Sequence, residues 1–327
     1  MNYFKITLKI LIPIIIIYLL IKYNSLDFSR VFELNILLIL QLFFLCFFIV
    51  ILGALKWFLL LRIQNTELSL KRTVESYYLG YALNYYLFGV AGDVVKTIYI
   101  AKNKSNKTGI ALSVILDRVV GLMCMGIIIL YSVPVILENL NINSFLSIYD
   151  SNIYLYYGLL TFLIFSLFLL GKMILNSKRI ENLIIRSLKK YKNKIIKMLV
   201  ETIDIFFTYK KNSLNIFFNI ILSISIQIII AIALYLITLK TLMVDLSLIS
   251  HTVSSVCVQI LSIIPISPGN IGVGEAAFSQ IMYYMNSKTL LEFASVYFIY
   301  RLINMIFALP GMFVYFFAIK RDLADEK

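Results

Sequence analysis

Residues 265–275 read Pro-Ile-Ser-Pro-Gly-Asn-Ile-Gly-Val-Gly-Glu in the middle of an otherwise apolar stretch, 248–286. Two prolines and three glycines in so short a run break any continuous helix, because proline lacks an amide proton and glycine is a poor helix former. The stretch reads instead as two short helical arms around a turn built on Pro268, Gly269, Gly272 and Gly274. A second stretch, 74–101, has the same plan, with Asn84, Gly89 and Gly92 about its middle. Irregular backbone is tolerated at membrane depth only where protein or water covers it, so these two interruptions are where polar function is expected.

The rest of the chain explains why a membrane is the setting. Its 327 residues are 61% hydrophobic and 14% charged, with a mean hydropathy of +0.91, which excludes a water-soluble globule. Full spans are predicted near 6–21, 36–61, 109–137, 153–171, 214–239 and 291–319. The first has Lys5 and Lys9 at its start but no small-residue cleavage site after it, and reads as a retained helix. A single membrane domain, 1–327, leaves no room for a separate soluble catalytic domain and disfavours most enzyme classes. The net charge of +13 lies on loops between apolar runs, which points to topology and anionic lipid rather than nucleic acid. Cys46, Cys124 and Cys257 lie inside apolar stretches without metal or redox spacing and read as packing residues.

Charge asymmetry orients the chain. The segment 172–211 carries eleven Lys or Arg against three acids, whereas 138–152 carries no Lys or Arg, so the first is expected inside and the second outside. Propagating that assignment puts both ends of 74–101 on the cytoplasmic side and both ends of 248–286 on the outer side. Each then reads as a re-entrant hairpin, entering from opposite faces, and both chain termini fall in the cytoplasm. The expected fold is all-α: six full spans plus two re-entrant hairpins in an inverted repeat, with halves 1–137 and 153–319. Gly92-Asp93 is followed after 25 positions by Arg118, and Gly274-Glu275 after 26 by Arg301, which supports the repeat locally. Inverted repeats with broken helices at the midplane are a transporter architecture. Within 172–211, Ile184, Leu188, Tyr191, Ile195, Leu199, Ile203 and Phe206 recur at helical spacing among lysines, the pattern of a basic amphipathic helix at the inner interface.

Asp93, Asp117, Arg118, Glu275 and Arg301 fall in or near hydrocarbon, where each unpaired charge costs about 2.5–3.5 kcal/mol. They are therefore expected to pair, within a repeat or across the two, or to line a wet cavity. Asp93 and Glu275 fall at helix starts, with Lys96 one turn beyond Asp93. Two roles stay open there: the acid caps its own helix, or the helix start and its glycines receive a phosphate. Trp57 with Lys56 is read as an inner-interface anchor. Tyr77, Tyr78, Tyr81, Tyr85 and Tyr86, with Tyr283, Tyr284, Tyr297 and Tyr300, read as interfacial anchors or as the wall of a wet cavity. His251, the only histidine, reads as an interfacial residue without a catalytic role.

Four pieces in order, Asn84 to Lys96, Val114 to Arg118, Pro268 to Glu275, and Tyr300-Arg301, resemble the lysylphosphatidylglycerol synthase transmembrane-domain family of flippase-like proteins. The resemblance extends over nearly the whole chain. It implies a lipid-translocating module related to the part of the bifunctional synthases that moves aminoacylated phosphatidylglycerol outward. Phe88 stands where the family often has proline, and Asn270 where it often has a second glycine. The chain ends eight residues after its last predicted span, so a stand-alone member without the soluble aminoacyl-transferase domain is expected. The expected function is translocation of a phospholipid, glycolipid or polyprenyl-linked lipid in the cell membrane, with Asp93, Lys96, Asp117, Arg118, Glu275 and Arg301 as headgroup-binding or charge-pair residues. The expected partners are anionic phospholipids or lipid-linked glycans and the enzymes that make them; no nucleic acid, metal or cofactor is expected. The alternatives are a membrane lipid or glycolipid transferase using Asp93 or Glu275 as base, and a membrane assembly factor whose charges only lock helices. No metal cluster, nucleophile motif or nucleotide loop supports an enzyme.

Overall fold

The computed structural model describes residues 3–64, 68–87, 91–102, 106–139, 156–157, 160–161, 212–264, 266–286 and 292–325, with side chains described from Pro13 to Phe313 within these except at 138, 139 and 213. Gly89, the greater part of the span expected at 153–171, and the basic segment 172–211 lie outside them. All regular structure among the described residues is helical: α1 (Tyr3–Lys22), α2 (Ile36–Ile63), α3 (Leu70–Tyr86), α4 (Ala91–Ala101), α5 (Lys107–Asn139), α6 (Ser213–Thr241), α7 (Leu248–Leu261), α8 (Val273–Met285) and α9 (Phe293–Asp325), with 3-10 turns at Phe28–Glu33 and Pro268–Asn270. Among the described residues, four helices are long and apolar enough to cross a membrane: Ile36–Ile63, Lys107–Leu137, Leu214–Thr241 and Phe293–Phe313. The protein is a multi-pass membrane protein.

Side-chain caps set several helix starts. Asn35 Oδ1 accepts the Leu38 amide at 2.7 Å and opens α2; Ser69 accepts from Arg72 at α3, and Ser247 from Ser250 at α7. Each supplies an acceptor to an amide that has no partner inside its helix. One core joins α2, α6, α8 and α9 through Leu42, Ile49, Leu234, Phe278, Phe293 and Ile299. A second joins α2 to α3, α4 and α5 through Trp57, Leu79, Ile100 and Ile110. The loop between α1 and α2 is tied to the start of α9 by Arg30 to Glu292 at 2.7 Å and by the Asp27 amide to Ser295 Oγ at 2.7 Å. Hydrogen bonds from Ser29 hold the Asp27 carboxyl below the ordinary aspartate pKa.

Region 74–101 folds as two antiparallel arms, α3 and α4. Ser76 Oγ donates to the Lys96 carbonyl at 3.0 Å, and four residues on, Gly80 meets Gly92 so closely that a Cβ at Gly92 would overlap the Gly80 carbonyl. Region 248–286 folds as α7 and α8 around the Pro268–Asn270 turn, in which Gly269 has φ +53° and Gly272 φ +80°. These are left-handed conformations that glycine adopts without steric cost. The α3 face is sealed to α9 by tyrosines: Tyr78 donates to the Phe307 carbonyl, Tyr81 to Asn304 Oδ1 and Tyr86 to the Met305 carbonyl at 2.8 Å. These hydroxyls are spent inside the protein, so the three are helix-packing residues rather than interface anchors.

Candidate functional site

The Pro268–Asn270 turn touches the end of α3. The Gly269 amide donates to the Leu87 carbonyl at 3.0 Å, and a Cβ on Gly269 would collide with the Tyr85 carbonyl. Only a residue without a side chain lets the backbones approach this closely at positive φ. The charged residues flank this junction.

On the first side, Asp93 sits in the first turn of α4. The Asn84 side chain reaches across from α3 to accept the Gly92 amide at 3.0 Å, so α3 caps the start of α4. Asp93 is then free to receive cations. Lys96 Nζ lies 2.8 Å from its Oδ1, and Arg118 Nε donates to its Oδ2 at 2.6 Å, with Nη2 on the same oxygen. The Lys96 ammonium also stands 4.7 Å above the Trp57 ring and 5.0 Å from that of Tyr77, a cation–π arrangement that offsets part of its lost hydration. Asp93 is 8% exposed, but Arg118 is 49% exposed. The guanidinium is therefore anchored from inside and presented outward.

On the second side, Glu275 occupies the first turn of α8 and its Oε2 accepts the Gly272 amide at 2.7 Å. Arg301, on α9, lies 3.1 Å from Glu275 Oε1 through Nε. Its Nη1 donates to the Gly269 carbonyl at 3.0 Å, and its guanidinium stacks 5.4 Å from the Tyr297 ring centre. Gly274 makes room for this, because a Cβ there would press on the guanidinium and the Tyr297 ring. One buried arginine thus bridges its acid and the carbonyl of the residue that joins the turn to α3.

Each acid accordingly meets the arginine of the next long helix: Asp93 with Arg118 and Glu275 with Arg301. Asp117 does not join either pair. It lies 3.2 Å from Lys56 Nζ, both side chains being about one-tenth exposed. The interface-anchor reading of Lys56 and Trp57 is corrected here, because both are buried among the helices. Trp57 is fully buried and its Nε1 donates to Ser113 Oγ at 3.0 Å. Lys56 was therefore missed as a site residue, although Asp117 in an apolar helix called for a cation of its own. Asn219 on α6 joins this layer by donating to the Lys56 carbonyl at 2.9 Å.

His251 is fully buried in the protein. Its Nδ1 lies 2.9 Å from the Ser247 carbonyl and its Nε2 2.9 Å from Thr238 Oγ1, so both ring nitrogens are engaged in holding α7 on α6. Among the described residues no group of His, Cys, Asp and Glu could hold a metal ion.

These features define a polytopic membrane protein with acid–guanidinium pairs at the starts of two short helices, α4 and α8. The chain matches the lysylphosphatidylglycerol synthase TM region over residues 6–313 and belongs to that family. Nothing matches it among the curated proteins or the solved structures.

Proposed function

We propose that the protein is a lipid translocase in the cell membrane. In this reading α3–α4 and α7–α8 are re-entrant hairpins of an inverted repeat with six full spans, and both termini are cytoplasmic. The arm lengths agree with it: α3, α4, α7 and α8 have 17, 11, 14 and 13 residues, or about 17–26 Å at 1.5 Å per residue, short of a hydrocarbon core of about 30 Å. The parallel placement of Asp93 and Glu275 in the first turn of the second arm, each paired to the next long helix, supports the repeat.

The observation that carries the transport reading is the Asp93–Arg118 pair, a half-exposed guanidinium held by a buried acid. Arginine binds phosphate through two parallel hydrogen bonds, as it does carboxylate. A headgroup phosphate therefore competes with the acid for the same fork. Exchange of Arg118 and Arg301 between acid and phosphate gives a route for a headgroup past the junction while the acyl chains stay in the bilayer. The test is a reconstituted assay of fluorescent-lipid movement between leaflets. Arg118→Ala and Arg301→Ala, in protein shown to be folded, are expected to slow movement at least about tenfold, the scale of one lost charged contact. Wild-type rates in both would refute these roles.

A further inference from the structure

The two sides of the junction differ in charge. Among the described residues, Lys56, Lys96 and Arg118 face Asp93 and Asp117, three cations against two acids, in one connected layer: Lys96 and Arg118 share Asp93, Lys96 lies over Trp57, and Lys56 pairs with Asp117, the neighbour of Arg118 in the chain. Glu275 and Arg301 balance each other. An excess positive charge inside a membrane protein is unfavourable without a counter-charge, and a balanced pair needs none.

We propose that the first cluster binds one monoanionic phosphodiester headgroup and that the second binds none while Arg301 is held by Glu275 and the Gly269 carbonyl. A phosphodiester carries a single negative charge and neutralises the layer, whereas a zwitterionic headgroup brings its own cation and does not. The contact point is Arg118: Asp93 takes the Nε and Nη2 edge of its fork, and half of the side chain stays exposed, so the diester docks on the remaining donors before any exchange of partners. Arg301 offers no such edge, since it is 5% exposed with Nε on Glu275 and Nη1 on the Gly269 carbonyl. The site thereby selects net negative lipids over zwitterionic ones. The assignment rests on the headgroup role given above to Arg118.

Trp57, the only tryptophan of the chain, touches this layer through Lys96 and reports on it. The experiment titrates the full-length protein in uncharged detergent with dihexanoyl phosphatidylglycerol, dihexanoyl phosphatidylcholine and inorganic phosphate, following Trp57 emission. The expected result is saturable binding of one phosphatidylglycerol per chain, about tenfold tighter than phosphatidylcholine. Asp117→Asn, which adds one net positive charge, is expected to tighten binding, and Lys56→Gln, which removes one, to weaken it about tenfold. The double variant Lys56→Gln/Asp117→Asn keeps the excess at one charge and removes the unpaired partner that could unfold the single variants. It is expected to bind as wild type does. Equal affinity for the two lipids, weaker binding by Asp117→Asn, or lost binding by the folded double variant would overturn the proposal. Binding of inorganic phosphate as tight as that of phosphatidylglycerol would overturn the lipid assignment in favour of a free anion. Because the titration measures binding alone, a protein that binds the diester but moves no lipid counts against transport only, and one that moves lipid without this selectivity counts against the site only.

Discussion

The Gly269 amide is hydrogen-bonded to the Leu87 carbonyl at 3.0 Å, which joins the turn of one hairpin to the last turn of the other. Arg301 takes the carbonyl of the same Gly269 at 3.0 Å while facing Glu275. Contact between the hairpins and the hold on Arg301 therefore share one residue, Gly269, through its amide and its carbonyl.

Glycine at this point is a steric requirement. Gly269→Ala forces a side chain into positive φ and against the Tyr85 carbonyl, and should cost about 1–3 kcal/mol. Gly126→Ala is the control, because a Cβ there would meet nothing within 4 Å and alanine favours helix by about 0.5–1 kcal/mol. Thermal unfolding of the purified variants should shift down for the first and up or not at all for the second.

The Glu275–Arg301 pair should behave as a buried pair. Arg301→Met leaves a carboxylate without its cation and is expected to lose about 3–5 kcal/mol. In Glu275→Gln/Arg301→Met the amide still accepts from Gly272 and no charge is stranded, so most of that loss should return. Protein abundance and unfolding across the four variants of this cycle measure the coupling.

His251 holds helices together. His251→Ala should lose about 1–3 kcal/mol of stability by stranding Thr238 and the Ser247 carbonyl, with lipid movement per folded molecule unchanged. Loss of activity at full stability would return the residue to the chemistry.

Burial of Trp57 gives an optical prediction. Its emission should be blue-shifted and protected from an aqueous quencher, and Lys96→Met, which removes the ammonium from its face, should change the intensity. Emission typical of an exposed indole would contradict the position of Lys56 and Trp57 inside α2.

The turn at Pro268–Asn270 was legible in the sequence because its signal is local: Pro268, Gly269 and Gly272 act on their own backbone. The four long apolar helices were legible for the same reason, since hydropathy averages along the chain. The ion-pair partners were not, because spacing gives depth in the membrane and says little of direction around a helix. Asp117 and Arg118 are adjacent yet point to Lys56 on α2 and Asp93 on α4. Lys56 looked terminal because basic residues near a span end usually are; its pairing with Asp117 on α5 holds it inside the protein. The tyrosines of α3 were ambiguous because an interfacial ring and a packed one have the same composition, and only the carbonyls of α9 decide between them.

The account stands on two hairpins that enter from opposite faces and meet, and side-specific cysteine labelling tests this most directly. In a chain freed of Cys46, Cys124 and Cys257, single cysteines replace Lys71 and Lys102 at the ends of the first hairpin, and Met243 and Asn286 at the ends of the second. An impermeant maleimide should label the first two from the cytoplasmic side alone and the last two from the outer side alone. Labelling of the two ends of either hairpin from opposite sides would contradict the account.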